Sequence, residues 1–264
     1  MRLSRPAALL AALAAAALLL STTACGSTDD RKPAGRSGSD APVVVASTTW
    51  VGALAKAAGA TDVKLVAPAN IQHPPDYDPK PSDLAAVASA DYVLYTPFDG
   101  FAARLKEAVA SGAKLVMVEP ENTPAKITSE VTRLGQLFGT GAAAARWLDT
   151  FNAEYASLSG KLKNTSLNTT AVAQVFVAYW ADFAGIPVAG TYGPEPVTPS
   201  QLADLSGKKP KIQLANGHLP GLNPQIAGAV RVDIINYPGE DLDLLSVFRT
   251  NADHLGAAIT GAAG

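Results

Sequence analysis

The densest chemistry in this chain lies in His73-Pro74-Pro75-Asp76-Tyr77-Asp78-Pro79-Lys80-Pro81-Ser82-Asp83. Four prolines in nine positions fix φ and pre-order the segment, so an imidazole at its start would lose little conformational entropy on binding. His73 is therefore a candidate nitrogen ligand for a metal ion, the alternative being a surface imidazole bonded to a local carboxylate. Glu119 and Glu121 bracket Pro120 and would offer oxygen ligands to the same cation, or be ordinary solvated acids. His218, in the glycine-flanked loop Asn216-Gly217-His218-Leu219-Pro220-Gly221, could add a second nitrogen or simply order its loop. With one cysteine, Cys25, an internal disulfide and a thiolate-rich site are excluded, so any metal must be held by nitrogen and oxygen. His254, beside Leu255 and Ile259, reads as a residue of a helix surface. Asp76, Asp78 and Asp83 are covered by caps and turns, and Lys208-Lys209 with Lys211 by a solvated turn. Trp50, Tyr179 and Trp180 could wall an organic ligand or a chelate, or seal a joint between two lobes.

Such residues need a frame, and the apolar pattern supplies one. Val43–Ala46, Val63–Ala67, Tyr92–Tyr95 and Leu115–Val118 are short β-branched or aromatic runs separated by helical stretches such as Ser82–Ala90 and Phe101–Ser111. Strands that are apolar on both faces, alternating with helices, predict a parallel sheet covered on both sides. Ile127, Val131, Leu134 and Phe138, then Trp147, Leu148, Phe151, Tyr155 and Leu158, fall at helical spacing around Gly139-Thr140-Gly141. Strands are expected again at Ala171–Val177, Val188–Gly190, Ile212–Ala215 and Val232–Ile235, with a closing helix over Leu242–Ile259. The fold class is thus α/β, two Rossmann-like lobes with parallel sheets joined by a long helical backbone. The expected boundaries are 42–123 for the first lobe, 124–165 for the connecting helices and 166–264 for the second lobe. In open parallel sheets ligands bind beyond the carboxyl ends of the strands. That rule adds Asp99, Asn216 and Tyr237 to Trp50, Tyr179 and Trp180 as residues lining a cleft where the rims of the lobes meet. Ser82 is expected to cap the helix after the proline-rich segment.

The amino-terminal region reads as an address. Arg2 and Arg5 precede fourteen uncharged apolar residues, Ala7–Leu20, and small side chains lead into Cys25. Fourteen falls short of the roughly 20 residues a spanning helix needs. The run ending at a lone cysteine resembles the bacterial lipoprotein signal, which implies cleavage of 1–24, lipidation of Cys25 and a flexible tether over 25–41. Cleavage there leaves 19 basic against 23 acidic residues, and a mildly acidic chain offers no basic field for nucleic acid.

The His73–Asp83 segment resembles the ligand loop of the zinc- and manganese-binding receptors of bacterial ABC importers, whose pattern is roughly Pro-His-x-Tyr-Glu-Pro-x-Pro-Ser-Asp. Counted back from Asp76-Tyr77 the family's histidine falls on Pro75; counted forward from Leu65-Val66 it falls on His73 with Pro74-Pro75 as a two-residue insertion, the alignment adopted here. Val43–Thr49, Ala90–Tyr95, Pro199–Leu205 and the helix carrying Asn251 also fit, so the resemblance spans most of the chain beyond the signal. It departs elsewhere. Glu119–Pro124 stands where the family has Asn-Pro-His-x-Trp, Val175–Trp180 lacks the third histidine, and Asn236-Tyr237-Pro238-Gly239-Glu240 replaces the region of the fourth, acidic ligand.

The resemblance implies a monomeric receptor, anchored to the outer face of the membrane through lipid on Cys25, that captures a divalent ion, Zn2+ or Mn2+, as cargo and delivers it to an ABC importer permease. His73, Glu119, Glu121 and His218 would form the mixed nitrogen and oxygen site. One alternative keeps the fold but binds an organic molecule or metal chelate; another is a tethered interaction protein without a small ligand. The Gly-x-Ser-x-Gly, His-Glu-x-x-His and Gly-x-x-x-x-Gly-Lys motifs are all missing, so catalysis is not expected.

Overall fold

The computed structural model describes residues 42–262. The expected signal and the whole tether, Cys25 included, lie outside the described residues. The chain forms two four-stranded, wholly parallel sheets. In the first, β1 (Val43–Ala46), β2 (Asp62–Leu65), β3 (Tyr92–Tyr95) and β4 (Lys114–Met117) lie in the order β2-β1-β3-β4. In the second, β5 (Ala171–Gln174), β6 (Val188–Tyr192), β7 (Ile212–Asn216) and β8 (Val230–Ile234) lie in the order β6-β5-β7-β8. The strand order reverses direction between β1 and β3 and again between β5 and β7, which opens a crevice at the carboxyl ends of each pair. Two lobes of the same wound topology follow, as the apolar runs predict.

The helices explain how the lobes are held. α1 (Thr49–Ala57), α2 (Pro81–Ala88) and α3 (Ala102–Ala108) belong to the first sheet, and α6 (Trp180–Ala184) and α7 (Pro199–Gly207) to the second. Between them run α4 (Pro124–Phe138) and α5 (Gly141–Thr165), and α8 (Leu244–Ala262) closes the chain. α4 stops where Gly139 takes the left-handed conformation, φ +74°, that glycine alone adopts without cost. One continuous apolar core includes Leu54 of α1, Leu134 of α4, Phe151 of α5, Trp180 of α6 and Phe248 of α8, so it runs from one lobe into the other. Smaller clusters around Leu105 and around Leu205 cover the opposite faces of the two sheets. A shared core of this kind leaves only small relative movements of the lobes. Among the described residues no helix is long and apolar enough to cross a membrane.

Four expectations are corrected. α2 begins at Pro81, one residue early, and its cap is the Asp83 carboxylate, which accepts the Lys80 N–H at 2.8 Å; Ser82 already lies inside the helix. Val175–Val177 leaves the strand for a short helical turn, because the Gln174 side chain accepts the Phe176 N–H at 2.7 Å. β8 starts at Val230 and the last helix at Leu244.

Gly59, at φ +98°, follows α1 beneath the α4–α5 connection, and a Cβ there would lie 2.9 Å from Thr140 Cβ and 3.0 Å from Ala143 Cβ. Gly59→Ala is expected to cost about 2 kcal/mol through backbone strain and steric contact, read as a lower urea midpoint with an unchanged slope.

Candidate functional site

A cleft of about 560 Å3 opens where the carboxyl ends of both sheets face each other. Trp50, His73, Pro75, Phe98 and Glu121 line it from the first lobe, and Val175, Phe176, Tyr179, Asn216, His218, Leu222 and Tyr237 from the second. Thr48 caps α1 and sets Trp50 in its first turn. Asn223 fixes the loop after β7: its amide donates to the carbonyls of Asn216 and Leu219 at 2.9 Å each and accepts the Asn216 N–H at 3.0 Å.

The joint between the lobes is a continuous hydrogen-bond chain. Trp50 Nε1 donates to Asn122 Oδ1 at 2.8 Å, and Asn122 Nδ2 donates to the Asn236 carbonyl at 3.2 Å. Asn236 Oδ1 accepts both the Tyr179 hydroxyl, at 2.8 Å, and Trp180 Nε1, at 3.0 Å. The Asn236 N–H then donates to His218 Nε2 at 3.1 Å, and His218 Nδ1 lies 3.3 Å from the Gln72 carbonyl. An acceptor at one ring nitrogen's partner and a donor at the other's fix the tautomer: Nδ1 carries the hydrogen. Gln72 Nε2 returns across the joint to the Gly217 carbonyl at 2.6 Å. Burial pushes the His218 pKa down to about 4, with the neighbouring His73 adding to the shift. Burial also raises the Tyr179 and Tyr237 hydroxyls above their ordinary value.

The expected ligand set is therefore dispersed. His73 lines the cleft, and its Nδ1 lies 2.9 Å from Asp76 Oδ2 without the alignment of a hydrogen bond. Glu121 lines the cleft and accepts the Thr123 hydroxyl at 2.9 Å. Glu119 turns away to Lys126 Nζ at 2.9 Å, an exposed pair that holds its carboxyl below the usual range. His218 has both ring nitrogens engaged within the protein, so it has no lone pair to offer a cation. Among the described residues no group of three or more His, Cys, Asp or Glu side chains stands close enough to hold a metal. Structural zinc takes four ligands and a cation held with an open position takes three, so this cleft is short of donors.

Of the other lining candidates, Trp50, Tyr179, Asn216 and Tyr237 do face the cleft. Trp180 is fully buried in the shared core instead, because its indole N–H is drawn to Asn236. Asp99 is only 4% exposed and stands off the lining, its Oδ2 accepting the Thr96 N–H at 2.7 Å and its carboxyl raised by burial. Asn122 and Asn236, the hinge points of the whole joint, carry no charge and no spacing signature; the position of Asn236 just after the last strand was the one available pointer.

No protein-family model and no curated protein sequence matches this chain. Solved structures do. The laminin-binding protein Lmb of Streptococcus agalactiae, described as bifunctional with adhesin and metal-transporting activity, superposes with a TM-score of 0.63 over 83% of this chain and 99% of that one, at 18% identity. This chain has that fold. The substrate-binding protein FpvC of Pseudomonas aeruginosa, in complex with Ni2+, shares it with a TM-score of 0.64 over 84% and 96% of the two chains at 14% identity. So does a Mn-bound periplasmic metal-binding protein from Candidatus Liberibacter asiaticus, with a TM-score of 0.56 over 83% and 99% at 11% identity. The wound two-lobe fold joined by helices is common to all of them, and at identities this low the likeness is one of fold.

Proposed function

We propose that this chain is a solute-binding receptor, exported and anchored through lipid on Cys25, that captures a divalent metal, zinc or manganese, in the interlobe cleft and delivers it to the permease of an ABC importer. The observation that carries the reading is the cleft itself: it lies at the carboxyl ends of two parallel sheets, in a fold shared with proteins that bind Ni2+ and Mn2+, with His73 on its proline-braced loop at the rim. His73 and Glu121 are the side chains placed to meet the cargo. The role is capture and release, since the half-buried His218 is consumed by the joint and, among the described residues, stands beside no nucleophile that it could activate.

The test is metal that copurifies with the chain from its own host, without chelator. About one equivalent per chain is expected, falling several-fold in His73→Ala, a partly exposed site where truncation leaves the fold intact. A parent chain without metal would overturn the reading. A second reading, an organic solute with no metal, is favoured by the aromatic walls; it predicts a bound compound by mass spectrometry and no effect of chelation.

A further inference from the structure

The cleft and the donors do not match in scale. Six waters around an ion occupy about 180 Å3 at about 30 Å3 each. The cleft holds about 560 Å3, roughly three times that. Its walls are mostly carbon: Trp50, Phe98, Phe176, Tyr237, Leu219 and Leu222. Phe98 and Phe176, from opposite lobes, are 49% and 52% exposed, an arrangement that costs hydration unless something apolar covers them. The donors that a bare cation would need are spent on the joint, through His218, Asn122 and Asn236, or turned outward at Glu119. No Lys or Arg lines the cleft, and Glu121 is its one carboxylate. The field inside therefore favours a neutral or positive guest and rejects polyanions.

We infer that the metal enters this cleft as a chelate, already held by a small organic ligand with apolar or aromatic faces and a neutral or positive overall charge. The aromatic walls take up the organic part by stacking and burial, and His73 and Glu121 address the coordination positions that the chelator leaves open. This rests on the receptor reading above and narrows its cargo: the protein supplies shape and a minority of the ligands, and the chelator supplies the majority. A concave, largely apolar pocket with few polar groups is the ordinary form of an organic-ligand site.

The experiment titrates the purified full chain with Zn2+ alone, with Mn2+ alone, with chelators alone, with their 1:1 cationic zinc complexes and with anionic zinc citrate, reading heat and thermal shift. The chelators are 1,10-phenanthroline, 2,2′-bipyridine and histidine. A ligand stabilises the folded chain by RT ln(1 + [L]/Kd), which raises the unfolding temperature, so the two readouts check each other. At least one cationic complex is expected to bind ten-fold or more tightly than either of its components, with no response to zinc citrate. The double variant Phe98→Ser, Phe176→Ser, at exposed positions, should weaken that binding about ten-fold without loss of the folded state. Zn2+ alone binding as tightly as its complexes overturns the chelate and leaves the receptor standing. A chelator alone binding as tightly as its complex overturns the metal part. If every complex fails to bind, the inference falls, and if Zn2+ and Mn2+ alone also fail, the metal receptor falls with it.

Discussion

Asn236→Leu is expected to destabilise the protein by roughly 3–5 kcal/mol, because one substitution strands two buried donors, each at about 1–3 kcal/mol. The Asn236 side chain is the acceptor for Tyr179 OH at 2.8 Å and for Trp180 Nε1 at 3.0 Å, and Trp180 is fully buried. Leucine has the same branched arrangement of side-chain heavy atoms and somewhat bulkier ends, so little of the loss would come from a cavity. For a chain of this size the unfolding temperature should fall by about 10 °C. Glu119→Gln, on an exposed ion pair, should move it by less than about 1 °C, because such pairs contribute little. A fall of that small size for Asn236→Leu would show that the joint does not depend on the amide. The same variant bears on the cargo: loosening Tyr179 and Trp180 alters the cleft wall, so affinity should drop along with stability.

The strands were legible for a simple reason. Val43–Ala46 and Tyr92–Tyr95 are apolar on both faces, which only a covered parallel sheet accommodates, and each is a strand at its expected bounds; Ile212–Ala215, broken only by Gln213, is a strand within one residue of its bounds. Ends decided by side-chain hydrogen bonds were not legible: Gln174 ends β5 by capturing the Phe176 N–H, and nothing in the run Ala171–Val177 marks that. The site divides in the same way. His73 and Glu121 reach the cleft because the loops after β2 and β4 must end at the rim. His218 reads equally as a ligand or as an ordering residue because its glycine-flanked loop has the composition of a binding loop. Its nitrogens are claimed by the Asn236 N–H and the Gln72 carbonyl, backbone groups far away in sequence that no spacing rule pairs with it. Glu119 likewise answers to Lys126, seven residues on, rather than to its nearer neighbour Glu121. What resisted prediction is the part of the chemistry carried by main-chain atoms and neutral amides.

His218 should make the protein acid-sensitive between about pH 6.5 and pH 4. Its pKa falls from 6.5 to about 4 in the folded chain, chiefly because burial disfavours the cation. Protonation would also turn Nε2 into a donor facing the Asn236 N–H at 3.1 Å, breaking the joint. The unfolded chain takes up its proton near pH 6.5 while the folded chain resists until about pH 4, so stability is fully present above 6.5 and declines as pH falls through the window. The loss is about 3 kcal/mol at most, given the residual solvent access of the ring. Around the ring stand His73, whose own charge would add repulsion, the Gln72 carbonyl and the edge of Tyr237 at 4.7 Å between centroids. Asp99 acts with the opposite sign: burial raises its carboxyl, so its contribution grows as the pH falls towards the ordinary carboxylate value. Comparison with His218→Gln separates the two, because Asp99 is common to both chains. Glutamine keeps a donor and an acceptor but cannot titrate, so the stability difference between parent and variant in urea should shrink by about 2–3 kcal/mol from pH 7.5 to pH 4. A difference independent of pH would mean that the imidazole is protonated within the folded protein at ordinary cost, and that the joint rests on the amides alone.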